Sequence, residues 1–174
     1  MRGGSATLTD GRGSRATGVV SGFVLKLARQ STGLTQENLA ETLRVDVTTV
    51  QGWESGRRPL AAMNAGDFLR LSGGLSRLGA PASTGRHLRE AVEADQVLST
   101  GIVAGAAWVD AHTHPLATSV HRRTITNLIT WPITREMPQH LRVFTPKVPR
   151  RGPASTYPSL DADERTRFLD HLLT

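Results

Sequence analysis

The sequence predicts an all-α protein, and two observations carry that prediction. Apolar residues recur at helical spacing through residues 20–71, and polar caps and glycine stops cut the pattern into short segments. A first helix spans about Ser21 to Ser31, with Val20, Phe23, Val24, Leu27 and Ala28 on its apolar side and Gly33 as its stop. Thr35 caps a second helix, whose inward stripe is Leu39, Ala40 and Leu43. Asp46 caps a third, Val47 to about Glu54, which turns Val50 and Trp53 to the core and stops at Ser55-Gly56. A fourth, roughly Ala61 to Leu71, buries Met63, Phe68 and Leu69 before Ser72-Gly73-Gly74 interrupts it. Leu75 and Leu78 continue as a short fifth turn, and the bundle closes near Ala80-Pro81.

The most informative stretch is Leu34 to Leu60, LTQENLAETLRVDVTTVQGWESGRRPL, which reads as two short helices joined by a tight turn. Ala40 is the small residue that lets the helices cross, Val45 the apolar plug in the turn and Val50 the anchor of the second helix, at intervals of five residues. That is the sequence form of a helix-turn-helix, whose second helix enters the DNA major groove. On LTQENLA and TTVQGWESGRRPL, the chain resembles the phage repressor/Cro-type (XRE) helix-turn-helix family over roughly Val20 to Leu71, and its GWESGRRPL ending resembles actinobacterial members.

The resemblance implies a five-helix repressor-like bundle at residues 19–80, followed by a mostly helical C-terminal region. It implies a sequence-specific DNA-binding transcriptional regulator, acting as a dimeric repressor on double-stranded DNA through major-groove insertion of the third helix. Residue by residue, it assigns base reading to Val47, Thr48 and Gln51, with Gly52 also facing the groove. Backbone contacts fall to Gln36, Thr49, Arg57 and Arg58. Arg29 and Glu54 match a buried ion pair between the first and third helices. Two residues depart from the family pattern. Arg44 stands where a glycine is usual in the turn, at a position expected to need positive φ, which costs about 1 kcal/mol. Gly52 replaces a side chain that touches DNA and weakens the helix by about 1 kcal/mol. The competing reading is a protein-interaction module of antitoxin or anti-activator type.

Composition narrows the remaining classes. The net charge is +6, and of 21 basic residues only Lys26 and Lys147 are lysine. Arginine's planar fork suits phosphate and guanine, although a GC-rich coding bias yields the same composition. With no cysteine, disulfides, thiolate metal sites and cysteine nucleophiles are excluded. No P-loop, dinucleotide fingerprint or nucleophile elbow appears, so neither an enzyme nor a cofactor is expected. Asp110, His112, His114 and His121 invite a metal reading, but they fit polar loop histidines better, and no metal is expected. Residues 1–18 form a basic arm without an apolar signal core, and the run Ile102 to Val109 is too short for a bilayer. A soluble cytoplasmic protein is the expectation.

Residues 81–148 read as a mostly helical dimerisation or partner-binding region, and 149–174 as a linker with a terminal helix. Ser83 or Thr84 caps a helix reaching about Leu98, with Leu88, Val92 and Val97 apolar. Gly101 to Trp108 fits either a small-residue helix or a strand, Thr118 to Trp131 is helical and ended by Pro132, and Glu136 to Phe144 forms a short element. Asp161 and Glu164 make a capping pair for a last amphipathic helix, Asp161 to Leu173. Its Phe168, Leu169 and Leu172 face packs on its own body or on a second subunit or partner protein.

Overall fold

The computed structural model describes residues 18–104, 122–145, 155 and 157–173. Residues 1–17 of the basic arm, the group Asp110, His112, His114 and His121, and most of the proline-rich linker lie outside the described residues. Among the described residues the regular elements are helices throughout: α1 (Val19–Thr32), α2 (Gln36–Leu43), α3 (Val47–Glu54), α4 (Ala65–Arg77), α5 (Thr84–Ala104), α6 (Arg123–Thr134) and α7 (Ala162–Leu173). Short 3-10 segments span Leu60–Ala62 and Gln139–Phe144. None of the described helices is long and apolar enough to cross a membrane.

Two helices form the centre. Helix α1 packs on α3, α4, α5, α6 and the 139–144 segment, while α5 also packs on α6, α7 and α4. Sequence periodicity gives α1 a single apolar side, yet Leu25 on its other side is also fully buried, as are Val20, Val24 and Ala28. A helix apolar around most of its circumference needs cover all round, and here the C-terminal layer supplies the second side. The Phe23 ring meets Trp131 of α6 edge-on, with centroids 5.2 Å apart. One buried core therefore runs through both the N-terminal bundle and the region after residue 80.

A buried carboxylate joins the two layers. Gly18, at the start of α1, provides no side-chain cap. Asp95 of α5 takes over that role: its two oxygens accept the backbone N–H groups of Val20 at 2.8 Å and Ser21 at 2.9 Å. These are donors that a helix N-terminus leaves unpaired, so α5 caps α1 across 75 residues of sequence. Burial pushes the Asp95 pKa up to about 6, against the opposing pull of the Ser21 and Val20 donors.

Several sequence expectations are corrected. Helix α4 starts later than Ala61, because Asn64 caps it by accepting the Asp67 N–H at 2.8 Å. It also runs straight through Ser72-Gly73-Gly74, where an interruption is expected from composition. The gain is close packing: a Cβ at Gly74 would come within 2.9 Å of Leu43 Cδ2 on α2, so glycine here allows the two helices to approach. The bundle's fifth helix is consequently the long α5 rather than a turn at Leu75–Leu78. Leu69 is 64% exposed rather than buried. Residues 101–104 of the ambiguous glycine-rich run are helical. Pro132 lies inside α6 instead of ending it. It sits in the last turn and is buried beside Trp131, and Arg135 closes the helix in the left-handed region by donating its N–H to Trp131 O at 2.8 Å. The Asp161/Glu164 capping box forms in both directions, and Phe168 of α7 is buried on the molecule's own body while Leu172 is 43% exposed.

Candidate nucleic-acid interface

The turn between α2 and α3 has the geometry that its spacing requires. Arg44 closes α2 at φ 57° and ψ 46°, in the left-handed region expected for this position despite its side chain. The Val45 N–H reaches back to Ala40 O at 3.0 Å, the longer bond of a glycine-type helix stop made without glycine. Ala40 and Val50 are buried where the helices cross, with Val45 packed against the core between them. Caps then define both helices. Thr35 Oγ1 accepts the Asn38 N–H at 3.2 Å, and Asp46 Oδ1 accepts the Thr48 N–H at 2.7 Å.

A buried ion pair holds α3 onto α1. Arg29 donates from Nε to Glu54 Oε1 at 2.6 Å and from Nη2 to Oε2 at 2.9 Å, while Nη1 donates to the Leu34 carbonyl at 2.6 Å. Removing one partner of such a buried, bidentate pair strands a charge and costs about 3–5 kcal/mol. Gln36 joins the same network, its Nε2 donating to Glu54 Oε2 at 2.7 Å. The side chain assigned to the DNA backbone is thus tied to the frame that sets the α3 angle. Gly22 completes the contact between α1 and α3: a Cβ there would lie 2.4 Å from Trp53 O and 2.9 Å from Glu54 O.

The outward side of α3 is polar and short of side chains. Thr48 is exposed, Thr49 and Gln51 are half-buried, and Val47 is half-buried against the core. The Thr48 hydroxyl donates to Asp46 Oδ1 at 2.7 Å, a bond that together with the Thr48 N–H holds the Asp46 carboxyl below its usual range. Gly52, expected to face the groove, is instead buried beneath the stem of Arg58, whose Cγ and Cδ would lie 3.0 Å from a Cβ at residue 52. The loop folds back to make this possible. Gly56 turns at φ 75° against the backbone of Gly18, and the Arg58 N–H donates to Gly52 O at 2.9 Å. Arg58 Nη1 then donates to Thr49 Oγ1 at 2.8 Å. Arg57, beside it, is exposed. Sequence reasoning placed Arg58 in the loop; its seat on the helix depends on the missing side chain at residue 52, and that absence was the available signal.

Helix α3 packs against α1 and α2, leaving Thr48, Arg57 and Arg58 on the outside. Residues 25–67 match the model of the Helix-turn-helix family. No curated protein and no solved structure matches the chain. The matched segment and the geometry of its turn agree: residues 25–67 are a helix-turn-helix of the XRE type, a DNA-binding module of transcriptional regulators.

Proposed function

We propose that this protein is a sequence-specific repressor that binds double-stranded DNA as a homodimer, with α3 inserted in the major groove. The observation that carries the reading is the outer surface of α3, where exposed Thr48 stands beside an arginine held on the helix by Thr49. Because the Thr48 hydroxyl donates to Asp46, its lone pairs remain for a base, which favours the amino groups of adenine or cytosine. Arg58 supplies the long cationic side chain that Gly52 lacks, and its fork suits guanine O6 and N7. Arg57 serves a phosphate, while Gln51 borders the readout surface from its half-buried position. Gln36 acts through Glu54, fixing the helix rather than touching DNA alone.

Dimer formation on a two-fold site is supported by apolar side chains left exposed outside the helix-turn-helix, among them Val103 and Leu172. The same residues favour the second reading, in which the C-terminal layer docks a different protein. Selection of bound fragments from genomic DNA, followed by titration at several salt concentrations, tests the proposal. Arg57→Ala is expected to weaken binding to all sequences and to lower the log–log salt slope by about one. Thr48→Ala is expected to flatten discrimination between selected and random fragments. Absence of salt-dependent binding to any fragment would leave the interaction-module reading in its place.

A further inference from the structure

Away from α3, the first turns of α5 and the 139–144 segment bring two imidazoles and a carboxylate together inside the protein. His87 and Glu90 lie one helical turn apart on α5 and are both buried, and His140 approaches from the 3-10 segment. One ligand atom from each of the three falls within 4.8 Å of the other two. His87 Nδ1 lies 3.4 Å from Glu90 Oε2, and the two rings are 5.2 Å apart at 37°. Phe144 closes the far side, edge-on to His87 at 5.7 Å.

The His140 Nε2 atom is buried and has no hydrogen-bond partner among the described residues. A buried polar atom left in that state costs about 1–3 kcal/mol, so the arrangement needs an explanation beyond packing. We propose that His87, Glu90 and His140 form a binding site for a divalent transition metal of zinc type, which ties the 139–144 segment to α5. Two imidazoles and one carboxylate are an established zinc donor set, with metal–ligand distances near 2.0–2.2 Å. Ligands around a tetrahedral zinc stand roughly 3.4 Å apart, so closing the site takes side-chain movements of about an ångström. Burial lowers the pKa of both histidines. The nearby Arg86 charge acts on both rings and opposes a second cation, and the Glu90 carboxylate offsets it.

The test uses the full chain, stripped with chelator and titrated with zinc chloride against a chromophoric competitor. Cobalt(II) is titrated separately for its visible bands. The expected result is one zinc per chain at micromolar affinity or tighter, with tetrahedral cobalt bands and a raised unfolding midpoint. His140→Ala and, independently, Glu90→Gln should each weaken binding at least tenfold and alter or abolish the bands. Circular dichroism confirms that either variant is folded. A His112→Ala/His114→Ala variant controls for the other histidine-rich stretch and should bind like the wild type. Failure of the wild type to bind zinc, or loss of binding only in the His112/His114 variant, would overturn the proposal.

Discussion

Replacing Gly52 by alanine separates stability from DNA recognition. Glycine in a helix interior is less favourable than alanine by about 0.8–1.0 kcal/mol, so on backbone grounds Gly52→Ala strengthens α3. The three atoms nearest the new Cβ all belong to the Arg58 side chain, with Cγ and Cδ at 3.0 Å and Cβ at 3.4 Å. A flexible stem relieves that contact by moving outward a few tenths of an ångström or more, at the expense of the exposed bond from Nη1 to Thr49 Oγ1. Such a bond contributes about 1 kcal/mol at most, so the fold should stay within a few tenths of a kcal/mol of wild type or gain slightly. DNA binding should respond differently, because the guanidinium leaves its position on the helix. A bidentate arginine–guanine contact is worth about 1–3 kcal/mol, which corresponds to a loss of roughly 5- to 150-fold in affinity for the selected site. Urea unfolding measures the first effect, and fluorescence anisotropy with a labelled selected fragment measures the second. A double-mutant cycle with Arg58→Ala decides the cause: Gly52→Ala should cost almost nothing once Arg58 is absent. Wild-type affinity in the single variant, or an undiminished loss in the Arg58→Ala background, would refute the assignment of Arg58 to the helix surface.

Two further outcomes concern the frame beneath the interface. Gly22→Ala drives a methyl group into the carbonyls of Trp53 and Glu54, and neither backbone atom can yield as a side chain does; the expected loss is about 3 kcal/mol or more, read from the shift in the urea midpoint. Asp95 should make stability depend on pH. Its folded pKa, about 6, lies above the ordinary value of 3.8, so the folded state holds the proton more tightly, and this contribution is complete below pH 3.8 and is lost as pH rises through about 6. The advantage of wild type over Asp95→Asn should therefore shrink between pH 4 and 6, by on the order of 3 kcal/mol at most, and level off above that. A difference that grows with pH over this range would mean that the two N–H donors outweigh burial.

Local signals decided the helix-turn-helix. Thr35 and Asp46 cap their helices because a short oxygen beside an apolar-periodic run has a backbone N–H within reach, a relation that spans two or three residues. Arg44 occupies the left-handed turn, and Arg29 meets Glu54, as the resemblance implied. Contacts across long stretches of chain were not legible. Asp95 reads as one more acidic residue on an amphipathic helix until α1 places two free N–H groups against it, and His87 and His140 show no shared pattern across 52 intervening residues. The exposure of Leu69 and the place of Pro132 inside its helix run against the sequence pattern for the same reason, and Leu25 carries no assignment in it: which face of a helix is covered, and whether a proline can be held in a last turn, depend on what packs there. Sequence alone determined the elements whose hydrogen bonds close within a few residues. The tertiary structure decided the burial of α1 on both sides and the seat of Arg58 over Gly52, because both depend on surfaces that meet only after the chain has folded.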